Sequence, residues 1–191
     1  MKPRPFILLG VLAVVFALLM QAQCFGQGRI LWNESVDGPL SNLYQSPSLL
    51  PMLQVGTNSI IGSSEIIFGS PSGTLGDYFS FSVSSGLFVS GLGLLADRPM
   101  SILLSDPGFN DNFGSAIGPA NGELLSQMGI LGISSSTYGM VIKNYDVPQP
   151  GGSIANYRLD FIVTAVPEPG VWALLALGGA AGWCALRRRK A

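Results

Sequence analysis

In two seven-residue stretches, large apolar side chains recur at every second position, and this period of two is the strongest constraint on the fold. They are 77–83 (DYFSFSV) and 157–163 (YRLDFIV). Successive side chains of a β-strand point to opposite faces, so each stretch predicts a strand with one buried face. The residues expected on the buried faces are Phe79, Phe81 and Val83 in the first stretch and Tyr157, Leu159, Phe161 and Val163 in the second.

Shorter apolar runs, separated by turn residues such as those at 84–86 (SSG) and 150–152 (PGG), extend this pattern along the chain. Many short strands at such spacing are typical of two packed sheets. We therefore predict an all-β fold, an antiparallel, jelly-roll-like β-sandwich, in which 121–128 has room for one or two helical turns. The further predicted strands are 29–32, 59–67, 87–95, 100–104 and 138–143.

The N-terminus has the three parts of a secretory signal peptide. Lys2 and Arg4 form a basic head, 6–20 carries no charge, and 21–27 is small and polar. The apolar part is too short to span a bilayer comfortably. We expect 1–26 to be removed on export, leaving 27–165 as the exported domain.

The charge of the exported domain restricts its partners and its chemistry. It has ten acidic and four basic residues, a net charge of −6, so we expect no nucleic-acid partner. The chain has no histidine, and both cysteines, Cys24 and Cys184, lie in the terminal segments. Ser-His-Asp triads, Cys-His nucleophiles and zinc sites built on His or Cys are therefore excluded from this domain. We expect it not to be an enzyme.

The C-terminal segment 166–191 combines a short apolar helix with a basic end. Residues 170–186 carry no charge and have about the minimum length that a helix needs to cross a bilayer. Positive residues remain on the cytoplasmic side of a membrane, so the basic end would orient this transmembrane helix and place the preceding domain outside. The basic residues are Arg187, Arg188, Arg189 and Lys190.

A Pro-Glu-Pro triplet precedes this helix directly, in the sequence Val166, Pro167, Glu168 and Pro169. Together the triplet, helix and basic end closely resemble the PEP-CTERM sorting signal of Gram-negative bacteria. The resemblance implies an exosortase and the export machinery as partners, transient anchoring in the inner membrane, and delivery to the cell surface, outer envelope or an extracellular polysaccharide matrix. The alternative is a plain C-terminal membrane anchor.

The middle of the chain carries a second resemblance. The stretch 76–95 (GDYFSFSVSSGLFVSGLGLL), with the later NYRLDFIVT, is similar to bacterial prepeptidase C-terminal-type sandwiches. That family would imply an accessory or matrix domain without catalytic activity.

One loop has the residue types of a calcium site. The segment 105–115 (SDPGFNDNFGS) places hard oxygen ligands on a glycine-containing loop, as calcium prefers, but lacks the order of an EF-hand loop. A polar loop that binds no metal is the alternative, and we expect no other cofactor. The candidate calcium ligands are Asp106, Asn110, Asp111 and Asn112.

Four aromatic residues could stack on sugar rings if they are exposed, although core or edge packing is their usual role. They are Trp32, Tyr44, Tyr138 and Tyr145. We expect an exported structural or adhesive protein. The alternatives are a calcium-assisted carbohydrate-binding module and, as a third reading, a glycan-active enzyme that uses two of the scattered acids.

Overall fold

The computed structural model describes residues 28–66, 76–118, 121–145, 153–166 and 178–179. Within residues 28–166 of this set, the chain forms ten strands and two single-turn helices. The strands are β1 (Arg29–Asn33), β2 (Ser48–Leu49), β3 (Gly56–Ile66), β4 (Asp77–Val83), β5 (Leu87–Ala96), β6 (Met100–Ser105), β7 (Asn112–Gly118), β8 (Asn121–Glu123), β9 (Ser136–Asn144) and β10 (Ser153–Ala165). The helices are α1 (Glu34–Asp37) and α2 (Leu124–Gln127).

The strands form two five-stranded sheets that enclose one core. The first sheet has the order β1-β3-β10-β5-β8, and the second has the order β2-β4-β9-β6-β7. Among the eight strands β3 to β10, every neighbouring pair is antiparallel. The chain crosses repeatedly between the sheets, and the resulting order, β3-β10-β5-β8 against β4-β9-β6-β7, is that of an eight-stranded jelly roll.

The two remaining strands correct the prediction of a purely antiparallel sandwich. β1 pairs parallel with β3, and the two-residue β2 pairs parallel with β4, so both sheets are mixed. Parallel neighbours need a long connection, and here the residues between β1 and β3 supply it. β1 and β2 lie on the outer edges of β3 and β4, where they cover strands that would otherwise end their sheets.

The core follows the predicted alternation. In β4 and β10 the seven residues expected to face inward are all buried. The rings of Phe81 and Phe161, from opposite sheets, have centroids 4.9 Å apart. On the other face of β10, Ile162 is 47% exposed although it is apolar, because its position in the alternation turns it outward.

β10 is the central strand of the first sheet, pairing along most of its length with β3 on one side and β5 on the other. A bulge between Ile162 and Val163 shifts the register against β5, where Gly91 and Val89 are their partners. The turn predicted at 84–86 is present, and Gly86 takes the left-handed conformation there, with a φ of 78°.

The structure contains elements that the sequence reading did not predict. β2, β7 and β8 are additional strands, and the segment 121–128 divides into strand β8 and helix α2. The glycines and small residues of β7 (NFGSAIG) hide its alternation, although Phe113 and Ile117 are both exposed on this edge strand.

Candidate functional site

An open groove of about 450 Å³ lies at one end of the sandwich, between the β6–β7 loop and the segment that leads into β9. Hydroxyl groups and one carboxylate line part of it, and aromatic and aliphatic side chains line the rest. The polar residues are Asp106, Ser134, Ser136 and Thr137, and the larger apolar residues are Leu104, Phe113, Ile130, Ile133 and Tyr138. A mostly apolar cleft with a few polar groups is the usual form of a small-molecule site.

Two aromatic rings give the groove its apolar surface. Tyr138 stacks on the buried Phe81, with ring centroids 5.6 Å apart and an angle of 24°, and its hydroxyl donates a hydrogen bond to the carbonyl of Ser134 (3.2 Å). The ring of Phe113 meets that of Tyr138 edge to face at 6.1 Å and is 49% exposed. The tyrosine is thus held on both sides, and the phenylalanine offers a free ring surface.

The carboxylate of Asp106 organises the neighbouring loop. Its Oδ1 accepts hydrogen bonds from the backbone N–H groups of Asn110 (2.6 Å) and Asp111 (2.8 Å), and its Oδ2 accepts one from that of Gly108 (3.2 Å). The hydrogen bond from Asp111, together with those from Asn110 and Gly108, holds the pKa of Asp106 below its usual value. Asp106 therefore stays ionised at neutral pH.

The same loop contains a backbone conformation that is unusual for a bulky residue. Phe109 has a φ of 57°, in the left-handed region, and its N–H donates to the carbonyl of Asp106 (3.0 Å). Its ring packs edge to face on Tyr78 at 5.4 Å. The ring contact and the Asp106 hydrogen bonds together maintain this loop conformation.

The four predicted calcium ligands share this loop but have different surroundings. Asp106 lines the groove, whereas Asn110, Asp111 and Asn112 are exposed. The Oδ1 of Asn112 accepts a hydrogen bond from the backbone N–H of Gly114 (2.9 Å). Across the described parts of the chain, no three or more Asp, Glu, His or Cys side chains lie together in a group that could hold a metal ion. The calcium site stays a prediction.

Of the four aromatic residues that could stack on sugars if exposed, Tyr138 lies in the groove. Trp32 is half-buried, and its indole N–H donates to the carbonyl of Gly38 (2.9 Å). Tyr44 and Tyr145 are 52% and 57% exposed and lie outside the groove. Phe113 was not predicted, because its contribution depends on how β7 and β9 come together rather than on the local sequence.

The last strand of the sandwich, β10, ends on the side of the groove. Val83, at the end of β4, is opposite Ser136 of β9, and the turn 84–86 leads from there to Leu87, which is opposite Ala165. The N–H of Val166 then donates to the carbonyl of Gly86 (2.8 Å). The C-terminal segment therefore starts from the same end of the domain that carries the groove.

Most of the predicted terminal features lie outside the described residues. These include the signal peptide 1–26, the triplet Pro167 to Pro169 and the basic residues Arg187 to Lys190. Of the proposed transmembrane helix 170–186, Gly178 and Gly179 are described, and both are helical. Where the structure describes the chain, it contains no helix of the length and apolar character needed to cross a membrane.

No curated protein and no solved structure matches the chain. A family model for the PEP-CTERM protein-sorting motif matches residues 165–190, which confirms the resemblance seen in the sequence. The motif implies export and sorting by an exosortase to the cell envelope. The last strand of the jelly roll is thus followed directly by a PEP-CTERM protein-sorting motif.

Proposed function

We propose that the exported domain is a structural or adhesive component of the cell surface or extracellular matrix, without catalytic activity. The sorting motif supports delivery to the envelope, and the groove supports an adhesive role there. Jelly rolls occur in lectin and capsid domains alike, so the fold accommodates binding without specifying it. The groove is the observation that carries the proposal.

The chemistry of Asp106 argues against a role as a general acid. A general acid must hold a proton near neutral pH, and the three backbone hydrogen bonds to Asp106 stabilise its ionised form instead. Its oxygens already serve the loop as acceptors. Asp106 is therefore suited to shaping the groove and to accepting a further hydrogen bond from a bound group.

A calcium-assisted carbohydrate-binding module is the second candidate, and the position of Tyr138 favours it. The groove combines aromatic rings, which pack on the apolar faces of sugars, with hydroxyl groups that exchange hydrogen bonds with sugar hydroxyls. The predicted calcium loop forms one of its walls. The exopolysaccharide of the cell that produces the protein would be the ligand.

Calorimetry of the exported protein with host exopolysaccharide tests both candidates. We expect Phe113→Ala to weaken binding and Tyr44→Ala, which removes a similarly exposed aromatic ring outside the groove, to leave it unchanged. Equal effects of the two substitutions would exclude the groove as the binding site.

Calcium distinguishes the two candidates in the same experiment. The carbohydrate module requires that binding weaken when calcium is chelated and that Asp111→Asn reduce the calcium effect. If exopolysaccharide produces no heat at any calcium concentration, the carbohydrate module is excluded and the structural role remains.

A further inference from the structure

Two polar side chains face each other inside the sandwich, at the end opposite the groove. Asp77 begins β4, and Tyr157 lies in the first half of β10, so they come from different sheets. Both occupy the inward positions of the alternation that also buries Phe79 and Leu159. The period of two thus directs a carboxyl and a phenol into the core.

Both groups are buried, and each has a side-chain oxygen that the described structure leaves without a hydrogen bond. Asp77 is 7% exposed and Tyr157 is 3% exposed. Within the described structure, Oδ2 of Asp77 and the hydroxyl of Tyr157 have no hydrogen-bond partner. A buried polar group without a partner is costly, and a buried unpaired charge is more so. The pair therefore favours a neutral, protonated carboxyl.

The residues around Tyr157 provide space for the phenol and place a second acid near it. Gly62 of β3 is opposite Tyr157, and a Cβ at Gly62 would lie 2.7 Å from the Tyr157 hydroxyl. The same Cβ would lie 3.1 Å from the Glu34 carboxyl carbon, so that second acid is close to the phenol. Lys143, on the adjacent strand β9, places its Nζ 5.7 Å from the ring centroid of Tyr78.

Glu34 is anchored by its own hydrogen bonds. Its Oε2 accepts from the backbone N–H (2.6 Å) and hydroxyl (3.1 Å) of Ser63, and its Oε1 accepts from the N–H of Leu40 (3.0 Å). These bonds hold a negative charge beside the Tyr157–Asp77 pair. Ionisation of Asp77 would place a second negative charge in the interior near the first.

We propose that Asp77 and Tyr157 form an acid-stabilised latch between the two sheets, in which the protonated carboxyl keeps this end of the sandwich closed and its ionisation loosens it. Burial raises the pKa of Asp77 from 3.8 to about 8, the Tyr157 hydroxyl opposes this rise, and the charge of Glu34 adds to it. This behaviour is independent of any ligand in the groove.

The sign of the pH dependence follows from proton binding. Between about pH 4 and pH 8 the native state keeps the proton on Asp77, whereas the unfolded state loses it. The stabilisation is complete below the unfolded pKa and is lost as the pH rises toward the native pKa. One proton corresponds to about a tenfold fall in the folding constant for each pH unit in this range.

Denaturant unfolding of the exported protein from pH 4 to pH 9 tests the latch. We expect the folding constant of Asp77→Asn, divided by that of the unsubstituted protein, to rise up to about tenfold per pH unit to pH 8 and then level off. The control Glu65→Gln, which changes an exposed carboxyl on β3, should give a flat ratio. A flat ratio for Asp77→Asn would overturn the proposal.

Two further measurements separate a latch from a general loss of stability. Tyr157→Phe removes the hydroxyl that lowers the Asp77 pKa, so the pH at which the slope ends should move upward. Between pH 4 and pH 9, hydrogen-exchange protection of the unsubstituted protein should fall more at 77–79 and 153–158 than at 100–105. In Asp77→Asn, the loss of protection should be the same in all three segments. An unmoved end point, or an equal loss of protection in all three segments, would refute the latch.

Discussion

At the scale of single residues, the described domain contains two aspartates that the fold treats in opposite ways. Asp106 is in an exposed loop and receives three backbone N–H groups, which stabilise its charge. Asp77 is buried between the sheets, which penalises its charge. The environment rather than the residue type therefore decides which protonation state supports folding.

Asp106→Asn should change the pH dependence of stability in acid, in the direction opposite to the change that Asp77→Asn produces. Because the pKa of Asp106 is lowered in the native state, its stabilisation is present above the unfolded pKa and is lost as the pH falls through the native pKa. We expect the melting temperature of the unsubstituted protein to fall more steeply below about pH 4 than that of the variant. If the melting temperatures of the two proteins change equally from pH 2 to pH 7, the hydrogen bonds of the loop do not contribute to this pH dependence.

At the scale of elements, α2 shows how a single side chain can join a helix to a sheet. The carboxylate of Glu123 accepts hydrogen bonds from the N–H groups of Leu125 (3.1 Å) and Ser126 (2.8 Å) at the start of the helix. It also accepts one from the N–H of Leu92 in β5 (3.2 Å). Glu123 thus caps the helix and fixes it against the first sheet, as an N-cap side chain commonly does for its own helix.

Glu123→Ala should cost about 1 to 2 kcal/mol in the free energy of unfolding, the effect of losing an N-cap acceptor. Gln127→Ala, at the exposed end of the same helix, should change it by less than about 0.5 kcal/mol. Chemical denaturation measures both. Equal losses would mean that the hydrogen bonds of the Glu123 cap do not contribute to stability.

The two faces of β10 allow a direct test of the alternation. Phe161 is fully buried against Phe81 of the opposite sheet, whereas its neighbour Ile162 is 47% exposed. Phe161→Ala should cost about 3 to 5 kcal/mol, and Ile162→Ala should cost much less because part of its surface is already in water. A similar cost for the two variants in urea unfolding would contradict the two-sheet core.

At the scale of the whole molecule, the jelly roll and the sorting motif meet at one point. β10 ends at Ala165, and the family match begins at the same residue. The hydrogen bond from Val166 to Gly86 closes the domain just before the Pro-Glu-Pro triplet. Within the described residues, this contact of the folded domain therefore lies immediately before the segment that an exosortase would process.

Replacing Pro167, Glu168 and Pro169 with alanine should block processing without unfolding the domain, since the substitutions lie beyond β10. Intact mass of the protein recovered from the cell envelope measures this. We expect the unsubstituted protein to have lost most of 170–191 and the variant to retain it. If both proteins lose the tail, cleavage does not require the triplet. If both proteins retain the tail, the segment is a plain membrane anchor.

The sequence by itself determined the strands with a period of two and the sorting motif, because both depend on local residue order. A period of two specifies the buried face of β4 and β10 whatever the neighbouring strands are. The Pro-Glu-Pro triplet, apolar run and basic end are likewise contiguous.

Only the tertiary structure decided the strand order, the parallel edge strands β1 and β2, the groove and the Asp77–Tyr157 pair. Tyr138 and Phe113 lie 25 residues apart in the chain, and Asp77 and Tyr157 lie 80 apart. Such contacts depend on which strands become neighbours and which sheets face each other. That choice is made by the packing of the whole core, and no short stretch of sequence contains it.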